Sequence, residues 1–227
     1  MPREMLDDLQ SYERRVYSQG GEDGVISRIF ECIGTTNRFF VEFGAWDGHH
    51  LSNTANLRLH GGWSGLLLDG DGERRGDSLV KPAFITADNV NEVFASHGVP
   101  ESFDLLSLDI DGNEYWVWRA LDAYRPRMVV IEYNIFFGLD VARTIEYRPD
   151  FVWDETTYHG ASLAALRKLG RDKGYSLIYT DSWVPNAFFV LNTELPAELV
   201  DRPIEQVASW RFRGEPTDTR QRAWLSV

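Results

Sequence analysis

Residues 41–48 read VEFGAWDG, a short apolar run that ends in a glycine-bearing turn. The run at 39–43 is typical of a buried strand, and a helical pattern begins near Ser52. Gly44 and Gly48 allow the main chain of the turn to approach a ligand closely. The segment therefore predicts a strand, a turn and a helix that open a ligand site at one edge of a sheet.

Apolar runs rich in Val, Ile, Leu and Phe alternate with helical patterns on both sides of this segment. Strands that alternate with helices predict an α/β fold, a mostly parallel sheet with helices on both faces. The runs at 175–180 and 187–191 are six residues apart, which is hairpin spacing, so they predict an antiparallel pair at a sheet edge. The other predicted strands are 39–43, 65–69, 83–86, 103–109 and 128–132, and the predicted helices are 21–32, 52–60, 71–80, 89–97, 114–124 and 162–173.

The composition excludes several classes of protein. The chain has 227 residues, of which 43% are hydrophobic, and 23 Lys and Arg face 35 Asp and Glu, a net charge of −12. This is enough apolar material for a buried core, so the chain is not disordered. Nucleic-acid binding depends on clustered basic residues, which the negative net charge disfavours. The apolar runs are far shorter than the roughly 20 residues that span a bilayer. We predict neither a nucleic-acid nor a membrane partner.

The termini and the cysteine content bear on organisation and location. The first ten residues, MPREMLDDLQ, lack the positive start and apolar stretch of a signal peptide. The single cysteine, Cys32, cannot form an internal disulfide, and both features predict a cytoplasmic protein. We predict a charged lead-in at 1–16, a domain at 17–191 and a tail at 192–227 that packs on the domain. The sequence leaves a monomer and a homo-oligomer open.

An acid or an amide follows the carboxyl end of every predicted parallel strand. These ends share one edge of the sheet, so we expect the side chains to gather there. Any one of them alone is more often a turn residue or a helix cap, but five such strand ends together predict a ligand site. The residues are Glu42, Asp47, Asp69, Asp88, Asp109, Asp111, Glu132 and Asn134.

The glycine turn does not match a dinucleotide-binding fingerprint. Gly44 and Gly48 have the spacing G-x-x-x-G, and Glu42 and Asp47 would repel a pyrophosphate. Acids beside such a turn suit a ligand with a cationic or hydroxyl-rich part. The carboxylate of Asp69, at a strand tip, is where a ribose diol is commonly held.

The ordered series of motifs resembles the class I S-adenosylmethionine-dependent methyltransferases, and more closely the FkbM-type branch and its relatives. The resemblance runs from about residue 17 to residue 191, the methyltransferase domain that it implies. It rests on YSQGGED at 17–23, VEFGAWDG at 41–48, SNT at 52–54, DLLSLDIDG at 104–112 and VIEYN at 130–134. The family has a Rossmann-like fold with a seven-stranded sheet whose last strand is antiparallel, which agrees with the hairpin.

The resemblance also implies roles for individual residues. Glu42, Gly44 and Gly48 would line the methionine part of S-adenosylmethionine, Asp69 would hold the ribose hydroxyls, and Asp88 would face the adenine amine. Residues at 17–19 precede the first helix, where they could cover the cofactor or Ser18 could cap that helix. The predicted cofactor site is completed by Gln19, Asp47, Asn53 and Asp109.

The predicted reaction is methylation of a hydroxyl on a small molecule, a sugar or a natural-product intermediate. The hydroxyl proton would be taken by a general base, for which the candidates are His159, Asp111 and Glu132. Alternatively, a divalent ion would lower the pKa of the hydroxyl. The candidate metal ligands Asp109, Asp111, Glu132 and Asn134 carry hard oxygen donors, which suit Mg²⁺.

One departure from the family leaves open whether a metal is required and which substrate is methylated. Where many FkbM-type sequences read Asp-Val-Glu-Gly, residues 109–112 read Asp-Ile-Asp-Gly. This variant resembles the Asp-rich loop of metal-dependent sugar O-methyltransferases of the macrocin type. The alternatives are an N-methyltransferase, or a noncatalytic module with the same fold that binds the cofactor or a carbohydrate.

Overall fold

The computed structural model describes residues 6–70, 79–209 and 213–227, and within these ranges it contains nine strands and six α-helices. The strands are β1 (Phe39–Phe43), β2 (Ser64–Asp69), β3 (Val80–Pro82), β4 (Ser102–Leu108), β5 (Arg125–Glu132), β6 (Arg143–Ile145), β7 (Tyr175–Thr180), β8 (Asn186–Leu191) and β9 (Trp224–Ser226). The helices are α1 (Glu22–Ile33), α2 (Ala55–His60), α3 (Val90–Ser96), α4 (Glu114–Ala120), α5 (Leu163–Asp172) and α6 (Ile204–Val207).

Seven strands form the central sheet, in the order β3-β2-β1-β4-β5-β8-β7. Neighbours from β3 to β5 are parallel, whereas β8 is antiparallel to both β5 and β7. The order reverses between β1 and β4, as in doubly wound folds. The prediction of a Rossmann-like, mostly parallel seven-stranded sheet with an antiparallel edge hairpin is confirmed.

Both faces of the sheet are covered because successive strand residues point to opposite sides. Val41 of β1 belongs to an apolar cluster with Phe94 of α3 and Trp118 of α4. Its neighbour Phe40 belongs to a second cluster, on the other face, with Ile26 of α1. Helices therefore lie on both faces, as the alternating pattern predicted.

The third strand differs from its prediction. Residues 83–86 were predicted as a strand, but β3 is Val80–Pro82. The reason is a reciprocal cap: the Thr86 N–H donates to Asn89 Oδ1, and the Asn89 N–H donates to Thr86 Oγ1, which turns the chain into α3. The predicted helix at 71–80 lies mainly outside the described residues, and its end is wrong because Val80 is in β3.

Residues on both sides of the range 17–191 contact residues within it. Leu9 is buried in the cluster around α1, and Glu13 accepts hydrogen bonds from the Tyr179 hydroxyl and the Ser182 N–H, both at 2.7 Å. Near the other end of the chain, β9 pairs with β6 in a two-stranded sheet. Among the described residues, no helix has the length and apolar character that crossing a membrane requires.

Candidate functional site

Three carboxylates meet where β4 and β5 end. Leu108 is paired with Ile131, so the next residues, Asp109 after β4 and Glu132 at the end of β5, lie at the same level. One carboxylate oxygen from each of Asp109, Asp111 and Glu132 lies within 4.8 Å of the others. The structure therefore brings together three acids that the sequence placed at the ends of two different strands.

Glu114 is a fourth acid at this place, and the sequence reasoning missed it. Its side chain is fully buried, and Oε1 accepts hydrogen bonds from the N–H groups of Ile110 (3.0 Å) and Gly112 (2.7 Å). Its Oε2 has no hydrogen-bond partner among the described residues. The available signal was an acid in the first turn of a helix directly after the Asp109–Gly112 loop, which we interpreted only as the start of that helix.

Burial and mutual repulsion shape the charge of this group, called here the acid cluster (Asp109, Asp111, Glu114 and Glu132). Burial, together with repulsion from Asp111 and Glu114, raises the pKa of Asp109 to about 8. Burial raises the pKa of Glu114 to about 7, and burial with repulsion from Asp109 holds the pKa of Glu132 well above its usual range. The pKa of Asp111 is raised by burial and by Asp69. Protons or a bound cation would therefore stabilise the cluster.

The glycine turn after β1 is in contact with the end of β4. Gly44 has φ +68°, and a Cβ atom there would overlap the main-chain carbonyl oxygen of Asp109. Trp46 also has a positive φ, +47°, which is uncommon for a bulky residue, and its N–H donates to Asp69 Oδ2 at 2.7 Å. The turn is thus held between the tips of β2 and β4, where a ligand could approach its main chain.

Glu42 holds the segment that follows this turn. One carboxylate oxygen accepts from the hydroxyls of Ser52 and Thr54, and the other accepts from the Asn53 N–H at 2.7 Å. Burial raises the pKa of Glu42, and the hydrogen bonds from Thr54 and Ser52 oppose that rise. Asn53 in turn donates through Nδ2 to the Ser107 hydroxyl on β4 at 3.1 Å. Glu42 therefore positions Asn53, with its own oxygens already engaged.

The other predicted cofactor residues lie around the same edge. Asp47 Oδ1 accepts the N–H groups of His49 (2.9 Å) and His50 (2.7 Å), which closes the turn. Asp88 Oδ2 accepts the hydroxyl of Tyr147 at 2.7 Å. Asp88 lies in the turn before α3 and not at the tip of a strand, because the strand predicted at 83–86 is β3 at Val80–Pro82. One oxygen of each carboxylate is engaged in a local contact.

Gln19 belongs to a segment that crosses the glycine turn. Its neighbour Ser18 forms a parallel bridge with Leu51, and Gln19 itself is exposed. Asp23 fixes the crossing, because its Oδ2 accepts the N–H groups of residues 16–18 at 2.7 to 2.9 Å. The structure thus brings Gln19 beside the predicted cofactor turn.

Asn134 connects β5 to the loop that carries His159. Its Nδ2 donates to the carbonyl oxygens of Thr157 (2.9 Å) and His159 (2.8 Å), while its Oδ1 accepts the Phe136 N–H at 2.9 Å. The carboxamide is therefore engaged within the protein. Burial lowers the pKa of the half-buried His159, which favours the neutral imidazole that a general base requires.

Five buried oxygens at this edge have no hydrogen-bond partner within the described part of the chain. All are acceptors, and an unsatisfied buried acceptor costs roughly 1–3 kcal/mol. A ligand that presents hydrogen-bond donors or a positive charge would satisfy them. The atoms are Asn53 Oδ1, Asn113 Oδ1, Glu114 Oε2, Glu132 Oε2 and Asn186 Oδ1.

A cleft of about 520 Å³ lies elsewhere on the molecule. It is formed by residues 6–10, β7 and residues 202–209, and polar side chains such as Arg202 and Gln206 line it. None of the acid cluster lines this cleft. Its size alone does not make it the functional site, because the unpartnered oxygens lie at the carboxyl ends of the strands.

No protein-family model matches the chain, and no curated protein is similar to it in sequence. Several solved structures are similar to it in part, among them the following three. For the CMeT domain of the citrinin polyketide synthase, the TM-score is 0.45 at 11% identity, over 84% of this chain and 56% of that chain. For magnesium protoporphyrin IX methyltransferase from Synechocystis, with bound SAH, the TM-score is 0.39 at 12% sequence identity, over 75% of this chain and 81% of that chain.

An S-adenosylmethionine-dependent methyltransferase from Clostridium acetobutylicum gives a TM-score of 0.40 at 10% identity, over 84% of this chain and 92% of that chain. The chain thus spans a little over half the length of the polyketide synthase domain and most of the length of the two methyltransferases.

Proposed function

We propose that the chain is an S-adenosylmethionine-dependent methyltransferase of the FkbM-type branch or a relative, and that it methylates a hydroxyl of a small molecule. The observation that carries this proposal is the set of unpartnered buried oxygens at the carboxyl edge, such as Asn53 Oδ1 and Glu114 Oε2. Asn53 follows β1 and Glu114 follows β4, the two strands between which the strand order reverses, and doubly wound sheets bind ligands at such a point.

The residues present fit this cofactor. S-adenosylmethionine, when bound, supplies an electrophilic methyl group on a positively charged sulfur. It also carries an ammonium group, ribose hydroxyls and an adenine amine, all of them donors, which match a site of unsatisfied acceptors. Asp69 would hold the ribose, because its carboxylate lies at the tip of β2, beside the glycine turn whose Trp46 N–H it accepts. Asn53 would meet the methionine part, and Asp88 the adenine.

The acceptor hydroxyl must lose a proton as the oxygen–methyl bond forms. We propose three groups of the chain as the base that takes it: Asp111, Glu132 and His159. Burial lowers the pKa of His159 and so favours the neutral ring, the form that can accept a proton. The remaining acceleration would come from holding the hydroxyl oxygen in line with the methyl carbon.

We also propose a Mg²⁺ site at Asp109, Asp111 and Glu132, with Asn134 at its margin. Three carboxylate oxygens within 4.8 Å of one another are the hard donors that this ion prefers. A divalent ion at this place would lower the pKa of the acceptor hydroxyl. The raised pKa values of Asp109 and Glu132 mean that the cluster lacks sufficient positive charge of its own.

Millimolar Mg²⁺ should raise the melting temperature of the purified protein, and EDTA should reverse the rise. Differential scanning calorimetry of the wild type and Asp111→Asn measures this, since the variant loses one charged ligand and should lose most of the shift. Equal melting temperatures with and without Mg²⁺ in the wild type would contradict the metal site and leave the proton to His159 or a carboxylate.

S-adenosylhomocysteine should bind the wild type with micromolar affinity, and Asp69→Ala should weaken that binding by roughly 10- to 100-fold, the effect of losing hydrogen bonds to a charged group. Isothermal titration calorimetry measures both. Asp122→Ala is the matched control, because Asp122 is an exposed acid before β5, at the opposite edge of the sheet. No binding to the wild type would refute the proposed function, and unchanged affinity in Asp69→Ala would show that the ribose lies elsewhere.

A further inference from the structure

The loop between β6 and α5, residues 146–160, lies over the acid cluster and is called here the covering loop. The Phe151 ring packs on Gly112, so closely that a Cβ on Gly112 would overlap it. Asn113 Nδ2 donates to the Arg148 carbonyl oxygen at 2.9 Å. Both contacts are within two residues of Asp111, so this loop forms a wall of the candidate site.

The far end of the covering loop touches the same site. Asn134 Nδ2 donates to the His159 carbonyl oxygen at 2.8 Å, which ties the loop to the end of β5. Gly160 lies beside Glu114, whose Oε2 would be 3.4 Å from a Cβ at that position. The loop is therefore tied to residues beside the acid cluster on both sides of Trp153.

Trp153 is the exposed aromatic residue of this wall. Its side chain is 42% exposed, yet its ring is oriented, because Nε1 donates to the Thr156 carbonyl oxygen at 2.8 Å. The ring also meets His159 edge-on, with 5.8 Å between centroids. A large apolar ring that is exposed but held in one orientation is typical of a ligand contact, since little freedom is lost on binding.

The C-terminal segment 213–227 fastens the covering loop. Arg222 forms an ion pair with Asp154 at 3.0 Å and donates to the Thr156 hydroxyl at 2.8 Å. Its guanidinium lies over the Tyr158 ring, 4.2 Å from the centroid. Asp154 directly follows Trp153, and Thr156 and Tyr158 come shortly after it. The C-terminal segment therefore helps to set the orientation of the indole.

We propose that Trp153 is a stacking platform for the methyl acceptor, and that the acceptor is a hydroxylated ring. This inference rests on the proposed function. A ring offers a flat apolar face to the indole while its hydroxyl points to the acid cluster, whereas an open-chain polyol has no such face. An aromatic ring and a pyranose share this chemistry, and the experiment distinguishes them.

The probes are catechol, methyl β-D-glucopyranoside and glycerol, titrated calorimetrically into protein saturated with S-adenosylhomocysteine and Mg²⁺. We expect one of the two ring probes to bind, and glycerol to bind more weakly. In Trp153→Ala the dissociation constant of that ring probe should rise roughly three- to tenfold, the range of an aromatic stacking contact. Trp153→Phe should stay within about twofold of the wild type, because it retains a ring.

Trp183→Ala is the matched control, because Trp183 is an exposed tryptophan (72%) in the β7–β8 turn, outside the covering loop. Its ring-probe affinity should equal that of the wild type. The inference is overturned if neither ring probe binds, if Trp153→Ala binds as the wild type does, or if Trp183→Ala loses as much affinity. Titration with S-adenosylhomocysteine alone separates the two proposals. If S-adenosylhomocysteine does not bind, the proposed function is refuted. If it binds but neither ring probe does, only this inference is refuted.

Discussion

Gly44→Ala should abolish detectable binding of S-adenosylhomocysteine and lower the free energy of unfolding by several kcal/mol. Two effects act together. The left-handed conformation, φ +68°, costs a residue with a Cβ about 1–2 kcal/mol. The added methyl group would also overlap the carbonyl oxygen of Asp109, so the turn and the end of β4 would have to move apart. Calorimetric titration and urea unfolding measure the two losses.

Gly98→Ala separates the conformational cost from the overlap. Gly98 has φ +65°, and none of the described atoms lies within 4 Å of a Cβ built on it. This control should lose only about 1–2 kcal/mol and bind S-adenosylhomocysteine as the wild type does. If Gly44→Ala were no worse than Gly98→Ala in either measurement, the close approach of the turn to β4 would not matter, and the cofactor would not depend on that turn.

The sequence predicted the acids at the sheet edge because their placement follows from local rules. A buried parallel strand shows as an unbroken apolar run, and its carboxyl end is the next polar residue. Asp69, Asp109 and Glu132 were found in this way, and parallel pairing then requires them to share one edge. The turn at Gly44 was predicted equally directly, because a glycine that comes immediately after a strand usually forms a turn.

Other parts of the site depend on contacts that no local pattern records. Glu114 sits in the first turn of α4, where an acid is ordinary, and only the folded loop shows its Oε1 serving Ile110 and Gly112. The covering loop has no strand or helix period, and its position depends on Arg222, more than sixty residues further along the chain. The third strand was misplaced because a polar cap, Thr86 with Asn89, outweighed the apolar character of residues 83–86.

Without divalent ions, the free energy of unfolding should fall as the pH rises from about 5 to about 8. The sign follows from the acids: Asp109 has its pKa raised from 3.8 to about 8, and Glu114 from 4.5 to about 7. Between the ordinary and the raised values the folded protein binds more protons than the unfolded chain, so each rise in pH favours unfolding. The stabilisation is complete below the ordinary values and is lost as the pH passes the raised ones.

Glu114→Gln should flatten this dependence and raise the melting temperature by several degrees at about pH 8, with little change at about pH 5. Glutamine keeps an oxygen for the N–H groups of Ile110 and Gly112, but it removes a buried charge beside Asp109 and Asp111. Scanning calorimetry at three pH values measures the effect. Glu92→Gln, at an exposed position of α3, is the control and should follow the wild type.

A stabilising Glu114→Gln would also explain why the acid cluster exists at all. Four acids held together without sufficient opposing charge lower the stability of the free protein, and such a cluster persists when a bound cation depends on it. The rise in melting temperature on adding Mg²⁺ or S-adenosylmethionine should therefore be smaller for Glu114→Gln than for the wild type at the same pH. A variant that gains stability in the free protein and responds fully to both ligands would show that Glu114 serves only the packing of α4.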